Sequence, residues 1–284
     1  MLAGACFALG SVLQHHAARR VATHPLGDPR LLLRLLRRPL WLFGRMLALA
    51  GFAVQALALR YGPLSYVQPL MVSGMFLSVP LEARLDRRPA NHREVRAVLI
   101  AGLGLAVFLI AAAPTSGDSR PADSGWAAVL AVTAGLVALC LVATRSHPAG
   151  TGTYLGVATG IVFGVTAALL KTGVTSLDRG PVHLLTDWAL YALVGTIALG
   201  LVLSQNAFQS GSLAAPLTAF TLTEPIIAMG IGVGAFHEHI DTAGPHAALI
   251  ALGFAAMAVG VRQLSERPTD PGIGAIGPTA RPAG

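Results

Sequence analysis

Long apolar segments recur through almost the whole chain, and they constrain its fold more than any other feature. A helix needs about 20 apolar residues to cross the hydrocarbon layer of a membrane. Nine segments approach this length: 2–17, 40–60, 62–83, 95–113, 126–144, 152–174, 182–204, 212–236 and 245–264. The sequence therefore predicts an all-α polytopic transmembrane bundle of about nine helices. The first segment is short and begins almost at Met1, which leaves open a tenth helix upstream.

The composition agrees with this architecture. Hydrophobic residues make up 54% of the chain and charged residues 12%, about half the charged fraction of an average soluble domain. No gap between the apolar segments is long enough for a soluble module. We expect one transmembrane domain over residues 1–265, with halves at about 1–113 and 126–265. The Pro-, Gly- and Ala-rich residues 266–284 are predicted to form a disordered cytoplasmic tail.

The arginines predict how the bundle is oriented. If nine helices alternate, one side of the membrane carries Arg19, Arg20, Arg30, Arg34, Arg37, Arg38, Arg84, Arg87, Arg88, Arg93, Arg145, Arg262, Arg267 and Arg281. The other side carries only Arg60, Arg120 and Arg179. Cytoplasmic loops are enriched in Lys and Arg. This asymmetry predicts a multi-pass cell-membrane protein with its N-terminus outside and its C-terminus in the cytoplasm.

Two proline-containing segments resemble each other. Pro69 is followed by Glu82, and Pro225 is followed by Glu238, in both cases thirteen residues later. The alternating topology makes these two segments run in opposite directions, so the halves are predicted to be inverted repeats. Inverted repeats with interrupted helices are a recurring design of secondary transporters. The alternative is a chance similarity in which both prolines only kink their helices.

Glu224 is the first candidate for a functional residue, because it lies near the middle of segment 212–236. A carboxyl group at that depth is costly, so it should face the bundle interior or a wet cavity. Pro225 has no amide hydrogen and leaves the carbonyl of Thr221 without its usual helical donor. Together these groups could hold a cation or a proton. The alternative is a protonated glutamate that hydrogen-bonds to a neighbouring helix for packing.

Gln68 and Pro69 hold the corresponding position in the first half, with a neutral amide in place of the acid. Either hydrogen bonding to a substrate or packing would explain them. Lys171 is the lone lysine, near the end of segment 152–174. It could snorkel to the outer surface, pair with Asp178 or Asp187, or reach into a central cavity.

Other polar groups are predicted to lie at helix ends. Gln14, Gln205 and Asn206 close two segments on the cytoplasmic side, where they could form an inner vestibule or simply meet water. A cluster with possible metal-ligating groups follows segment 212–236: His237, Glu238, His239, Asp241 and His246. Its spacing matches no zinc or calcium motif, so a solvated loop is the favoured interpretation. We expect no metal site and no cofactor.

Glycines repeat every fourth residue in segment 152–174, at Gly152, Gly156, Gly160 and Gly164. This spacing places all four on one helix face and lets another helix approach closely. The row predicts a packing seam.

The proline-containing segments carry a family resemblance. Residues 62–70, which read Gly-Pro-Leu-Ser-Tyr-Val-Gln-Pro-Leu, and residues 80–84, Pro-Leu-Glu-Ala-Arg, are similar to the drug/metabolite transporter superfamily. Residues 223–225 and 236–238 are similar in the same way. The resemblance extends over nearly the whole membrane region and includes EamA-type carriers and NIPA-like magnesium transporters. The resemblance implies a secondary transporter of a metabolite or, alternatively, of magnesium. The sequence places only one acid at mid-membrane, which weakens the case for magnesium.

The leading hypothesis from the sequence is therefore a transporter that moves a small metabolite or cation by alternating access. A non-transporting membrane scaffold or regulatory subunit is the second hypothesis. A membrane-embedded enzyme ranks last, because only Glu224 and Lys171 could form its catalytic pair and no enzyme signature is present. Expected partners are the substrate and membrane lipids but no nucleic acid, and a homodimer stays open.

Overall fold

The computed structural model describes residues 1–19, 38–85, 92–209 and 214–265. Within these ranges the chain is helical apart from its connections and one isolated bridge. The helices are α1 (Leu2–Arg19), α2 (Pro39–Tyr61), α3 (Leu64–Leu85), α4 (His92–Ala112), α5 (Asp123–Ser146), α6 (Thr151–Ser176), α7 (Pro181–Thr186), α8 (Trp188–Gln209), α9 (Ala214–Gly234) and α10 (His246–Ser265). The predicted tail and the most arginine-rich loop lie outside the described residues.

The predicted all-helical architecture is confirmed for the described residues. Within the described ranges, seven helices are long and apolar enough to cross a membrane: α2, α4, α5, α6, α8, α9 and α10. The total of nine or ten spans stays a prediction. The long helices begin and end within about three residues of the apolar segments, with one exception.

The exception is segment 182–204. The chain forms the short α7 first, and α8 begins only at Trp188. Asp187 separates them, because its backbone is extended and its side chain accepts a hydrogen bond from the Ala189 amide at 3.0 Å. Asp is a favoured residue before a helix. The predicted boundary was therefore wrong by six residues at its start.

Most of the packing is between particular pairs of helices. The most extensive contacts are between α4 and α10, α6 and α9, α1 and α2, and α6 and α8, with α1 also against α3. Helix α3 contacts α4 and α9, and α9 also contacts α10. Helix α6 is the central element, since its second half is almost entirely buried. Helix α5 lies at the periphery against α6 and exposes most of its apolar surface.

The glycine row in α6 is a packing seam against α9. A Cβ atom on Gly156 would lie 2.5 Å from the carbonyl oxygen of Pro216, and one on Gly160 would lie 2.6 Å from the Thr223 side chain. Separations under 3.0 Å do not occur for real Cβ atoms. The two backbones therefore approach as closely as the four-residue spacing predicts.

One end of the bundle collects the ends of eight helices, and we call it the Glu238 face. It comprises the last residues of α2, α4, α6 and α9, the first residues of α3, α5, α8 and α10, and the connections between them. Hydrogen bonds join these segments, including Thr115 N–H to the His239 carbonyl at 3.0 Å and Asp241 N–H to the Ala112 carbonyl at 3.0 Å. Hydrogen bonds thus connect segments of both halves at this face.

Candidate functional site

Glu224 lies in the middle of α9 and is half-buried. Its backbone packs against the glycine row of α6, since a Cβ on Gly160 would lie 3.0 Å from the Glu224 amide nitrogen. Within the part of the chain that the structure describes, no hydrogen bond or ion pair reaches the Glu224 carboxylate. An acid at this position without a protein partner is available to a ligand or a proton.

Pro225 and Thr221 flank this acid as the sequence predicts. Pro225 is buried inside α9 and supplies no amide hydrogen to the preceding turn. The hydroxyl of Thr221 donates to the Leu217 carbonyl at 2.8 Å. A backbone oxygen without a helical donor therefore lies within one turn of the Glu224 carboxylate.

Gln68 occupies the matching position in α3, which packs against α9. Only 2% of Gln68 is exposed, and its side-chain nitrogen Nε2 has no hydrogen-bond partner among the described atoms. An amide nitrogen left unbonded in a core costs about 1–3 kcal/mol. Pro69 is buried beside it. Both proline-containing helices thus carry a polar side-chain group that no described residue satisfies.

Lys171 takes none of the three positions considered from the sequence. It is 4% exposed, and its Nζ atom lies 2.6 Å from Glu238 Oε1. The ammonium also lies 4.6 Å from the centre of the Phe236 ring, within the range of a cation–π contact. Asp178 pairs instead with Arg60, and Asp187 pairs with Arg120. Lys171 is therefore half of a buried ion pair.

Glu238 does not lie in a solvated loop, and that interpretation of it was wrong. It is 2% exposed. Its carboxylate accepts hydrogen bonds from the Leu64 amide at 2.5 Å, the Ser65 amide at 2.8 Å and the Ser65 hydroxyl at 2.6 Å. A carboxylate is favoured at this place because it meets the free amides at the start of a helix.

The local turn explains how Glu238 becomes buried. Helix α9 ends at Gly234, and His237 adopts a positive φ of 52°. The Glu238 amide then donates back to the Gly232 carbonyl at 2.9 Å. This reversal directs the Glu238 side chain toward α3. Two features of the sequence pointed to Glu238: its thirteen-residue spacing from Pro225, and the need of a buried lysine for an acidic partner. The neighbouring histidines instead suggested a surface loop.

The remaining members of the His237 cluster lie at the surface. His237 Nδ1 lies 2.6 Å from Asp118 Oδ2, and His246 Nδ1 lies 2.6 Å from Asp241 Oδ2. Within the described ranges no three His, Cys, Asp or Glu side chains are grouped as a metal site would require.

The proposed inner vestibule is not assembled in the described residues. Gln205 and Asn206 are exposed on α8, and Asn206 Nδ2 donates to the Val202 carbonyl of its own helix at 2.7 Å. Gln14 belongs to α1, but its side chain lies outside the described part of the structure. The vestibule therefore stays a prediction.

A second polar cluster was not predicted from the sequence. Arg120 forms two hydrogen bonds with Asp187, at 2.5 and 3.1 Å, and Ser176 donates to the same carboxylate. The Arg120 guanidinium holds the pKa of Asp187 well below its usual range. These residues line a cavity of about 290 Å³ at the Glu238 face together with Trp188.

The chain is similar to a bacterial protein over most of its length. An uncharacterized protein of Corynebacterium glutamicum is 29% identical over 227 residues, which cover 79% of this chain and 78% of that protein. No family model matches the chain. No solved structure matches it either.

Proposed function

We propose that this protein is a secondary transporter that moves a small metabolite or cation across the cytoplasmic membrane by alternating access. One observation carries the proposal: the Glu224 carboxylate lies mid-helix in an apolar bundle without a bond to any described group. Ionisable residues inside a membrane generally mark substrate, ion or proton pathways. The buried, unbonded Gln68 amide on the adjoining helix is a second group that a substrate could satisfy.

The pattern of helix contacts supports an inverted repeat. In the first half α1 packs against α2 and α3, and α3 against α4. In the second half α6 packs against α8 and α9, and α9 against α10. Between the halves, the two most extensive contacts join equivalent helices, α4 with α10 and α3 with α9, and smaller contacts join α2 and α3 with α6. This is the arrangement expected for two halves related by a pseudo-twofold axis.

Membership of the drug/metabolite transporter superfamily is part of the proposal and is supported by the motifs around Pro69 and Pro225. A NIPA-like magnesium transporter is the alternative within it. Mg²⁺ requires near-octahedral oxygen coordination and keeps several waters. Glu224, the Thr221 carbonyl and retained waters would have to supply that shell, which makes an organic metabolite the favoured substrate.

The two other hypotheses are less well supported by the contacts. A scaffold would be expected to hydrogen-bond Glu224 to a neighbouring helix, and no such bond is present among the described residues. An enzyme would need Glu224 and Lys171 to act together, but Lys171 pairs with Glu238.

The proposal is tested with purified protein in liposomes. The probes are labelled amino acids, labelled nucleobases, the cationic dye ethidium and Mg²⁺, each with and without a pH gradient. We expect at least one flux above that of empty liposomes, and we expect Glu224→Gln to abolish it or its response to pH. Asp241→Asn, which changes an exposed acid in the connection after α9, is the control and should transport normally. Flux that is unchanged in Glu224→Gln at every pH would remove Glu224 from this role.

A further inference from the structure

Four hydrogen-bond donors from two helices converge on one carboxylate at the Glu238 face. Glu238 receives the ammonium of Lys171 in α6 and the amides of Leu64 and Ser65, with the Ser65 hydroxyl, at the start of α3. The side chains of Lys171 and Glu238 are 5% and 0% exposed. This buried cluster therefore fixes α3, α6 and the end of α9 to one another.

The fit around the carboxylate leaves no spare space. A Cβ on Gly232 of α9 would collide with the Glu238 carboxylate and would lie 2.6 Å from Ser65 Oγ. Only glycine allows α9 to come this close to the start of α3. The contact is thus a closed seam between a helix of the first half and a helix of the second.

Other contacts between the halves surround this cluster. Arg60, at the end of α2, pairs with Asp178, which follows α6. Asp118, which follows α4, pairs with His237 and also donates its amide to the Phe236 carbonyl at 2.6 Å. Each of these contacts joins segments that an opening of the Glu238 face would separate.

The cluster around Glu238 lies between this end of the bundle and the candidate site at Glu224. Glu224 precedes the end of α9 at Gly234 by ten residues, which corresponds to about 15 Å along the helix axis. A solute that approaches Glu224 from the Glu238 face would have to pass the cluster. Polar contacts of this kind can separate reversibly, because water solvates both partners once it enters.

We propose that Glu238, Lys171 and the start of α3 form the gate at the outer side of the transport pathway, and that this structure shows the gate closed. The proposal rests on the transport function proposed above and on the arginine-based orientation. It predicts that loss of the carboxylate shifts the population toward an outward-open state, because a buried lysine is then left without its partner.

The first test measures access from outside. Cys6 and Cys140 are replaced by Ala, and Ala228→Cys places a reporter one turn below Gly232, at a fully buried position. Intact cells are treated with a membrane-impermeant maleimide. We expect Glu238→Gln to accelerate labelling at least about tenfold, the equivalent of about 1.4 kcal/mol in the open-to-closed ratio. Asp241→Asn should not change the rate. An unchanged rate in Glu238→Gln, or equal acceleration in both variants, would overturn the gate.

A second test avoids the buried residues, in case Glu238→Gln fails to fold. Arg60→Cys and Asp178→Cys are combined in the same Cys6→Ala, Cys140→Ala background and joined with a short, reducible bifunctional thiol reagent. Uptake of the amino acid, nucleobase, ethidium and Mg²⁺ probes should stop on cross-linking and recover on reduction. Undiminished flux through the cross-linked protein would refute the gate. Absence of any flux in the uncross-linked wild type would instead refute the transport function, whereas the labelling rates do not depend on flux.

Discussion

Two acids of this protein, the buried Glu238 and the half-buried Glu224, have opposite surroundings. Glu238 accepts hydrogen bonds from Lys171 and from the start of α3, so its charge is neutralised and fixed in place. Glu224 receives no bond from any described group. A satisfied carboxylate stabilises one arrangement of helices, while an unsatisfied one is free to bind and release. The same residue type therefore serves two different purposes along α9 and the turn that follows it.

The first prediction concerns the coupling between Lys171 and Glu238. Each of Lys171→Met and Glu238→Gln should lower the free energy of unfolding by about 3 kcal/mol, because each leaves a buried partner without its counter-charge. The double variant should lose about 1–3 kcal/mol less than the sum of the losses in the two single variants. The amide oxygen introduced at position 238 still accepts hydrogen bonds from the α3 backbone. Unfolding in detergent micelles gives all three values. Additivity within about 0.5 kcal/mol would show that the pair is not coupled.

The second prediction concerns acid stability at Asp187. Its pKa is lowered in the folded protein by Arg120, by the Ser176 hydroxyl and by the Ala189 amide. A lowered pKa contributes stability that is complete above the usual value of about 3.9 and is lost as the pH falls toward the folded value. Asp187→Asn should therefore reduce the Tm by about 2 °C or more at pH 7, and this difference should shrink below about pH 4. Melting curves across that range test it.

The control for this prediction is Asp178→Asn. The side chain of Asp178 is 53% exposed, and exposed ion pairs contribute little. We expect a smaller change in Tm than for Asp187→Asn. If the difference in Tm between Asp187→Asn and the wild type did not change with pH, the lowered pKa of Asp187 would not contribute to stability.

At the scale of the helices, close backbone contact is the main packing device. Gly104 in α4 faces Gly253 in α10, and a Cβ on either would lie 2.6–2.7 Å from the other's carbonyl oxygen. Such approach brings two long helices together without large side chains between them, which suits association in lipid. It also means that a single methyl group would separate α4 from α10.

The third prediction compares two glycines of α4. Gly104→Ala should destabilise the protein by about 1–3 kcal/mol, because the atoms that the methyl group meets belong to the α10 backbone and cannot rotate away. Gly102→Ala is the matched control, since nothing lies within 4 Å of its Cβ position. Detergent melting curves distinguish the two. Equal changes of stability in the two variants would show that contact with α10 does not set the cost.

The limits of α2, α4, α6 and most other helices could be predicted from the sequence, because apolar length determines where a helix crosses the membrane. The start of α8 could not, because Asp187 prefers its bonds with Arg120 and Ser176 over continuing the helix. The candidate site divides in the same way. Mid-helix Glu224 and Gln68 are visible from position alone, whereas the partner of Lys171 depends on a turn that brings distant segments together.

The whole molecule is asymmetric from one end to the other. The described ion pairs of the Glu238 face neutralise Arg60, Arg120 and Lys171, whereas the sequence predicts most other arginines on the opposite side. Lys and Arg concentrate in cytoplasmic loops. The arginine pattern therefore predicts that the Glu238 face lies outside.

The fourth prediction tests this orientation. In a chain with Cys6→Ala and Cys140→Ala, Asp241→Cys should react with an impermeant maleimide added to intact cells. His92→Cys, which is exposed at the start of α4, should react only after permeabilisation. The two positions lie at opposite ends of the described bundle, so each is the control for the other. Labelling of His92→Cys alone in intact cells would reverse the proposed topology.

Lys171 is the one lysine of the sequence, and this makes it a specific target for chemical probing. Because arginine supplies every other strongly basic side chain, Lys171 carries the one side-chain amine of this sequence that acylating reagents can modify. The ammonium of Lys171 is 4% exposed, lies against the Phe236 ring and is held by Glu238. Acylation requires a free, deprotonated amine, so Lys171 should stay unmodified while this contact persists. The chain thus carries a single natural amine whose acetylation records each separation of α6 from the turn that follows α9.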